Sequence, residues 1–288
     1  MFKKTNQKYC GTVSFAELAS QNVVGYATKD VGYNGDGQGT ALVLNPFLHV
    51  QNGESLTLGD FSVNQTWSDE LWDCTGFLPG IDSIQILDGD GKFIATFTYY
   101  CKGKIENDLG LTATEGWYAM DDTGLTDCKN SYSIPYGAGV VVIAGKGNGV
   151  LPAITTSGEV KRTPTSLPLT PTTITGNVTP ATITFGDITV NQIWDDAAWD
   201  CFGFQPAIDT LQTMNSAGQF NGEYTYYCQG KIDNDLGLTA TAGWYAKSDS
   251  ALANPVNNNT LEAGQAVVFV VGKGNGVTPT ITVSSAIK

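Results

Sequence analysis

The chain is short of the residues on which most catalytic and nucleic-acid-binding sites are built. His49 is its sole histidine, Arg162 its sole arginine, and only 15% of its 288 residues are charged. A zinc site made from several histidines therefore has no material to form from, and His49, set in an alternating strand pattern, is a poor candidate for a serine–histidine–aspartate triad. Twenty-eight acidic side chains against 15 basic ones leave a formal charge of -13. Nucleic acid and anionic membrane surfaces both reward clustered Lys and Arg, so neither is an expected partner. No apolar run reaches the roughly 18 residues of a bilayer span. The start, Met1-Phe-Lys-Lys4, has a basic flank with no apolar stretch behind it, which points to a leader already removed or to another export route.

What the chain does have is one unit written twice. TYYCKGKIENDLGLTATEGWYA, from Thr98 to Ala119, returns from Thr225 to Ala246 with 19 of 22 residues identical and no gap. The same offset of 127 carries Trp67 to Trp194, Trp72-Asp73-Cys74 to Trp199-Asp200-Cys201, and Gly145-Lys-Gly-Asn-Gly149 to Gly272-Lys-Gly-Asn-Gly276. The chain divides into an N-terminal extension (1–52), a first unit (53–161), a Thr/Pro-rich linker (162–179) and a second unit (180–288), each unit being the size of a domain. Two units of that size bury enough surface to fold without a metal. Duplication suits a building block better than a catalyst, which would carry its chemistry twice.

The local patterns are β throughout. Ahead of the first unit, 22–27 and 39–50 read as strands around a turn-rich loop at 33–39, and no such pair precedes the second unit. The proline-bearing linker favours extended backbone and can replace one of those strands at most. Within each unit, 56–63 and 182–190 read as strands. Ser68–Asp73 and Asp195–Asp200 read as capped helical turns carrying the paired tryptophans inward. Asp88-Gly-Asp-Gly91 is a strong hairpin signal between 81–87 and 92–100. The apolar run Gly139–Ala144 suits a central strand, and 153–160 closes the unit. Six or so short strands with Gly, Asn and Asp turns predict an all-β chain of two tandem β-sandwiches or small barrels with an N-terminal strand extension.

Six cysteines in an acidic, Gly/Thr-rich chain favour an oxidising, extracellular setting. Because Cys74 and Cys101 recur together as Cys201 and Cys228, the economical pairing is within each copy, worth about 3 kcal/mol per bridge on the loop-entropy argument. Cys10 and Cys128 have no counterparts and pair either with each other or between molecules. The Gly145–Gly149 loop lacks the spacing of a phosphate loop. Asp88 and Asp90 are replaced by Asn215 and Ala217, so the turn is kept and the carboxylates are not. Glu106 and Asp108 recur as Asp233 and Asp235, without an EF-hand pattern around them. No cofactor and no catalytic residue follows from these clusters, and the chain reads as non-enzymatic.

Aromatics supply the candidate contacts. Tyr99, Trp117 and Tyr118 recur as Tyr226, Trp244 and Tyr245. Strand neighbours point to opposite faces, so one residue of each adjacent pair should be core and the other outward, ready for a sugar ring or another subunit.

Asn22-Val-Val-Gly-Tyr26, Leu58-Gly-Asp60, Asp82-Ser-Ile-Gln85, Gly116-Trp-Tyr118, the Gly-Ala-Gly-Val and Gly-Gln-Ala-Val stretches at Gly137 and Gly264, and Ser157-Gly-Glu-Val160 together resemble a group of secreted surface proteins of environmental Gram-negative bacteria. The likeness spans most of 20–161 and, less its first two strands, 180–288. It implies an exported, all-β, non-enzymatic surface protein. Two functions follow as expectations. In the first, the chain is an extracellular structural subunit, the N-terminal segment of one molecule completing the second unit of the next, so that a heterologous homo-oligomer grows into a filament, tube or layer. The alternative is a carbohydrate-binding or adhesive module with glycans as partners.

Overall fold

The computed structural model describes residues 24–32, 37–48, 55–145, 147, 149–161, 163–215, 217–272 and 276–284. Cys10, His49 and the start of the first expected strand lie outside them. The chain is all-β, 45% strand and 9% helical, its small antiparallel sheets set out like the blades of a four-bladed propeller. No helix among the described residues is long and apolar enough to cross a membrane.

The first copy comprises β1 (Val24–Asp30), β2 (Gly39–Leu44), β3 (Phe47–Leu48), β4 (Ser55–Thr57), β5 (Phe61–Val63), β6 (Thr66–Ser68), β7 (Asp73–Thr75), β8 (Ser83–Leu87), β9 (Phe93–Tyr100), β10 (Gly116–Ala119), β11 (Ser133–Pro135), β12 (Gly139–Ala144) and β13 (Ala153–Val160). The second comprises β14 (Thr165–Pro168), β15 (Thr172–Gly176), β16 (Ile183–Thr184), β17 (Ile188–Val190), β18 (Ile193–Asp195), β19 (Asp200–Phe202), β20 (Thr210–Met214), β21 (Phe220–Tyr227), β22 (Gly243–Ala246), β23 (Thr260–Leu261), β24 (Ala266–Val270) and β25 (Thr280–Val283). Five strands in the order β10-β9-β8-β12-β2 form the larger sheet of the first copy, and β22-β21-β20-β24-β15 form its match in the second. The smaller sheets are β1-β13-β3, with β5 also on β13, and β14-β25-β17.

These orders correct the linker. Its Thr/Pro-rich stretch is not a spacer: β14 pairs with β25 as β1 pairs with β13, and β15 pairs with β24 as β2 pairs with β12. Both leading strands, not one at most, are thus supplied to the second copy by the chain itself, so among the described residues the two places expected for another molecule's N-terminal segment are filled. Strands β1 and β2 pair within their own copy. Pro168 is tolerated because β14 is an edge strand, where a missing N–H breaks no ladder. Asn45 and Asn177 end the two matching strands alike, each side chain accepting the N–H two residues on, from Phe47 (2.9 Å) and Thr179 (3.0 Å).

The expected strand at 56–63 is broken by a 3-10 turn, Leu58–Asp60. Asp60 there accepts hydrogen bonds from the Thr57 N–H and hydroxyl, a capping arrangement that Asp187 and Thr184 repeat. The hairpin at Asp88–Gly91 is present between β8 and β9, and β12 is central, flanked by β8 and β2. Asp88 accepts the N–H groups of Asp90 and Lys92, and Asn215 does the same for Ala217 and Gln219, which explains why an amide serves as well as a carboxylate. Val140, Val142, Ile154, Phe61, Ile84, Phe97 and Trp117 pack together as the first copy's core. Val141, on the opposite face of β12, joins Leu42, Leu44, Ile174, Ala266 and Val268 in an apolar layer between the copies. Both faces of β12 are covered, which is why Gly139–Ala144 is apolar without alternation.

Candidate functional site

Every aromatic singled out from the sequence is placed, and the expected division into inward and outward partners fails. Trp117 and Tyr118 are both 1% exposed; Trp244 and Tyr245 are 0% and 1% exposed. Trp117 enters the core between the sheets, meeting Phe77 and Tyr99 edge-on and donating its indole N–H to the Phe61 carbonyl at 2.9 Å. Tyr118 points the other way, but a cluster with Ile105 and Leu125 covers it there. Trp244 and Tyr245 repeat both arrangements. Tyr99 and Tyr226 are half-buried against those tryptophans, and burial together with the Glu115 carboxylate pushes the Tyr99 hydroxyl well above its ordinary value. None of the six is an open platform.

Among the exposed aromatics, with Tyr26, Phe93 and Phe220, are the tryptophans expected to point inward. Ser68–Asp73 is no helical turn but the tip of a hairpin: β6 pairs with β7, Ser68 facing Asp73 across a four-residue loop, and β18 pairs with β19 likewise. The capping residues act in the loop instead, Ser68 accepting the Leu71 N–H and Asp195 accepting those of Ala197 and Ala198. Trp72 and Trp199 close these loops with φ of 51° and 53°, in the left-handed region that bulky residues avoid at a cost of roughly 1–2 kcal/mol. Both are largely open to solvent, 58% and 56% exposed. A strained, exposed tryptophan in the same place in both copies contributes little to folding, and strain of this kind concentrates where a residue is used.

The support beneath each tip is equally duplicated. Trp67 meets Trp72 edge-on at 5.6 Å between ring centres, and Trp194 meets Trp199 at the same distance. The indole N–H groups of Trp67 and Trp194 donate to Asp69 and Asp196, both at 2.7 Å. Trp67 packs on Gly103: a Cβ there would lie 2.4 Å from the tryptophan's Cβ, and at Gly230 the gap to Trp194 would be 2.5 Å. Gln65 ties the hairpin to the end of β9, donating to the carbonyls of Phe77 (2.7 Å) and Tyr99 (2.9 Å) and accepting the Cys101 N–H; Gln192 repeats this.

Beside the tryptophans lies an Asp–Lys–Asp cluster. The Lys104 ammonium bridges Asp73 (2.8 Å) and Asp108 (2.7 Å), and Lys231 bridges Asp200 (3.1 Å) and Asp235 (2.8 Å). Asp108 and Asp235 sit in π-helical turns, Lys104–Asp108 and Lys231–Leu236. The Lys104 hydrogen bond holds the Asp73 carboxyl below its usual range. Burial pulls Lys104 down, but its bonds to Asp108 and Asp73 outweigh this and hold it above its ordinary value. One ammonium between two carboxylates leaves each tip negative. Among the described residues no group of three or more His, Cys, Asp or Glu is placed to hold a metal ion.

Under the hairpin, Cys74 and Cys101 bring their Sγ atoms to 3.4 Å, as do Cys201 and Cys228. The predicted partners are thus brought together, but as thiols in contact and not as disulfides. Burial pushes the Cys74 and Cys201 thiols strongly up. Cys128 is half-buried beside Tyr118. Comparison with protein-family models, with curated proteins and with solved structures gives no match. The tryptophan tips could have been found in the sequence from the strict retention of Trp72-Asp73-Cys74 in the second copy; what hid them was reading the loop as a helix with a buried face.

Proposed function

We propose that the chain is a non-enzymatic extracellular binding protein made of two tandem homologous β-sandwich domains, each holding carbohydrate at its tryptophan-tipped hairpin. The observation that carries this reading is the exposed, left-handed Trp72, repeated as Trp199. A bare indole face beside carboxylates suits a pyranose ring, which offers C–H groups to the aromatic face and hydroxyl donors to Asp69 and Asp73. The tip is a projection and not a cavity, which fits a segment of polymer better than a small molecule enclosed on all sides. The negative tip and the chain's charge of -13 disfavour anionic glycans. Neutral β-linked glucans, whose equatorial hydroxyls leave both ring faces lined with C–H, are the ligands of best fit. The paired cysteines are proposed to be disulfides in the exported protein, clamping the hairpin to the end of β9.

The test is a neutral-glycan array probed with the wild type and with Trp72→Ala/Trp199→Ala, both checked for an unchanged far-UV spectrum. Binding that disappears in the double variant supports the reading. Binding retained by that variant, or no neutral glycan bound by the wild type, refutes it.

A second reading, a self-assembling structural subunit, is favoured by one observation. β1 is a seven-residue edge strand with its outer side unpaired among the described residues and Tyr26 79% exposed on it. Pairing of this edge with a second copy of the chain would be the contact, in place of strand donation into the second unit. Negative-stain imaging of concentrated protein tests it, with a proline at Thr28, whose N–H faces away from β13: filaments or sheets that vanish on Thr28→Pro support it, and a strictly monomeric field of particles refutes it.

A further inference from the structure

We infer that the two copies are related by an internal two-fold axis and that the chain therefore carries two equivalent, separate tryptophan sites, making it a bivalent binder. The inference rests on the reading of the tips as glycan sites, and adds their number, independence and joint action.

Reciprocal contacts establish the symmetry. Thr40 on β2 pairs with Ile143, and Thr172 on β15 pairs with Val270, 127 residues further on, so Thr40 and Thr172 are equivalent positions. Gly91 in the first copy lies against Thr172 of the second, and Gly218, the equivalent of Gly91, lies against Thr40 of the first, each at 2.9 Å from a built Cβ to the threonine hydroxyl. Residue i meeting j while j's equivalent meets i's is the signature of an isologous contact. The flanks of the contact agree. Lys29 pairs with Ile154 and Leu167 with Ile281, which makes Lys29 and Leu167 equivalent. Lys29 forms an ion pair with Glu262 at 3.1 Å, while Leu167 and Pro135, the equivalents of Lys29 and Glu262, line an apolar cavity of about 350 Å³ on the opposite flank. The symmetry is of backbone and position, with divergent side chains.

The tips are remote from this contact. Gly91 touches the other copy just before β9 begins at Phe93, and Gln65 grips the carbonyl of Tyr99 near its far end, roughly 20 Å along at 3.3 Å per residue. β21 separates Gly218 from the Gln192 anchor in the same way. Each copy thus presents its tip on the end of a strand that leads away from the shared face, and the apolar layer between the copies fixes their separation. Two sites held rigidly apart convert weak single contacts with a polymer into a stronger joint one, since the second engages at high effective concentration.

The experiment titrates the full chain with cellotriose, too short to bridge the tips, and separately measures its release from a surface densely coupled with cellotriose. The expected results are two cellotriose bound per wild-type chain with one affinity, and one bound by Trp72→Ala or by Trp199→Ala with that affinity unchanged. Release from the dense surface should then be on the order of 10²-fold faster for either single variant than for the wild type. One cellotriose per wild-type chain, or a single variant as slow to release as the wild type, overturns bivalency while leaving the glycan reading standing. No cellotriose bound at all overturns this inference, and the glycan reading falls with it only if the neutral-glycan array is empty as well.

Discussion

Oxidation of the two cysteine pairs gives a prediction whose size follows from the structure. Cys74 and Cys101 are 27 residues apart with sulfurs 3.4 Å from each other, and Cys201 and Cys228 repeat both values, so little movement is needed to join either pair. Closing a 27-residue loop stabilises by about 3.5 kcal/mol on the chain-entropy argument. For a copy of this size each kcal/mol corresponds to roughly 3–5 °C, so losing one bridge lowers that copy's Tm by roughly 10–18 °C. The assay has two parts. Thiols are counted with a chromogenic reagent after denaturing the protein as isolated from an oxidising environment, and thermal unfolding is compared before and after full reduction. At most two thiols, those of Cys10 and Cys128, are expected to react. Because Cys74 and Cys201 are buried, a reductant's thiolate has little access to their sulfurs, and burial, by raising these thiols, makes them poor leaving groups, so exchange on the folded protein is expected to be slow. Reduction should therefore take full effect only after unfolding. Six reactive thiols in the denatured sample, or equal Tm values for the two forms, would refute the reasoning.

Trp117→Ala and Trp244→Ala should each cost about 3–5 kcal/mol in urea unfolding, since each empties a fully buried site and strands a backbone carbonyl. Trp72→Gly removes left-handed strain and an edge-on ring contact of similar size, so its stability should stay within about 1 kcal/mol of wild type while glycan binding at that tip is lost. Gly103→Ala and Gly230→Ala drive a methyl group into Trp67 and Trp194; a cost of about 1–3 kcal/mol and a changed near-UV spectrum are expected. Asp82 is buried, accepting the N–H groups of Leu78 and Gly145 at 2.7 Å, and desolvation raises its pKa against those bonds. A raised folded value means its contribution is full below the ordinary carboxylate range and is lost as pH rises through the folded value. The stability of the wild type relative to Asp82→Asn should therefore fall as pH rises from 4 toward 7 in urea titrations; a flat or rising difference would contradict the assignment.

Much of the fold was legible because repetition amplifies local signals. The Asp88–Gly91 hairpin and the central strand Gly139–Ala144 are where turn chemistry and apolar runs place them. The linker was not legible. β14 and β15 are joined by a shorter connection than β1 and β2 are, and the few apolar residues there, Leu167, Leu169 and Ile174, are scattered among Thr and Pro. An edge strand with one partner needs little of its sequence fixed, so the equivalence lies in the ladder and leaves no likeness of residues. Trp117 and Tyr118 show a different limit: alternation correctly sends them to opposite faces, but it cannot say that both faces are covered. At Ser68 and Asp195 the same hydrogen-bonding side chains that cap helices also close short loops, so the cap signal alone did not separate a helical turn from a hairpin tip.

The most direct test of the tips as the working surface is a nitrogen–proton correlation spectrum of the six indole N–H groups, recorded with and without cellotriose. Resonances of Trp72 and Trp199 should shift, with smaller shifts at their neighbours Trp67 and Trp194, while those of the buried Trp117 and Trp244 stay in place. Shifts confined to Trp117 and Trp244, or none at any indole while cellotriose is bound, would contradict the account.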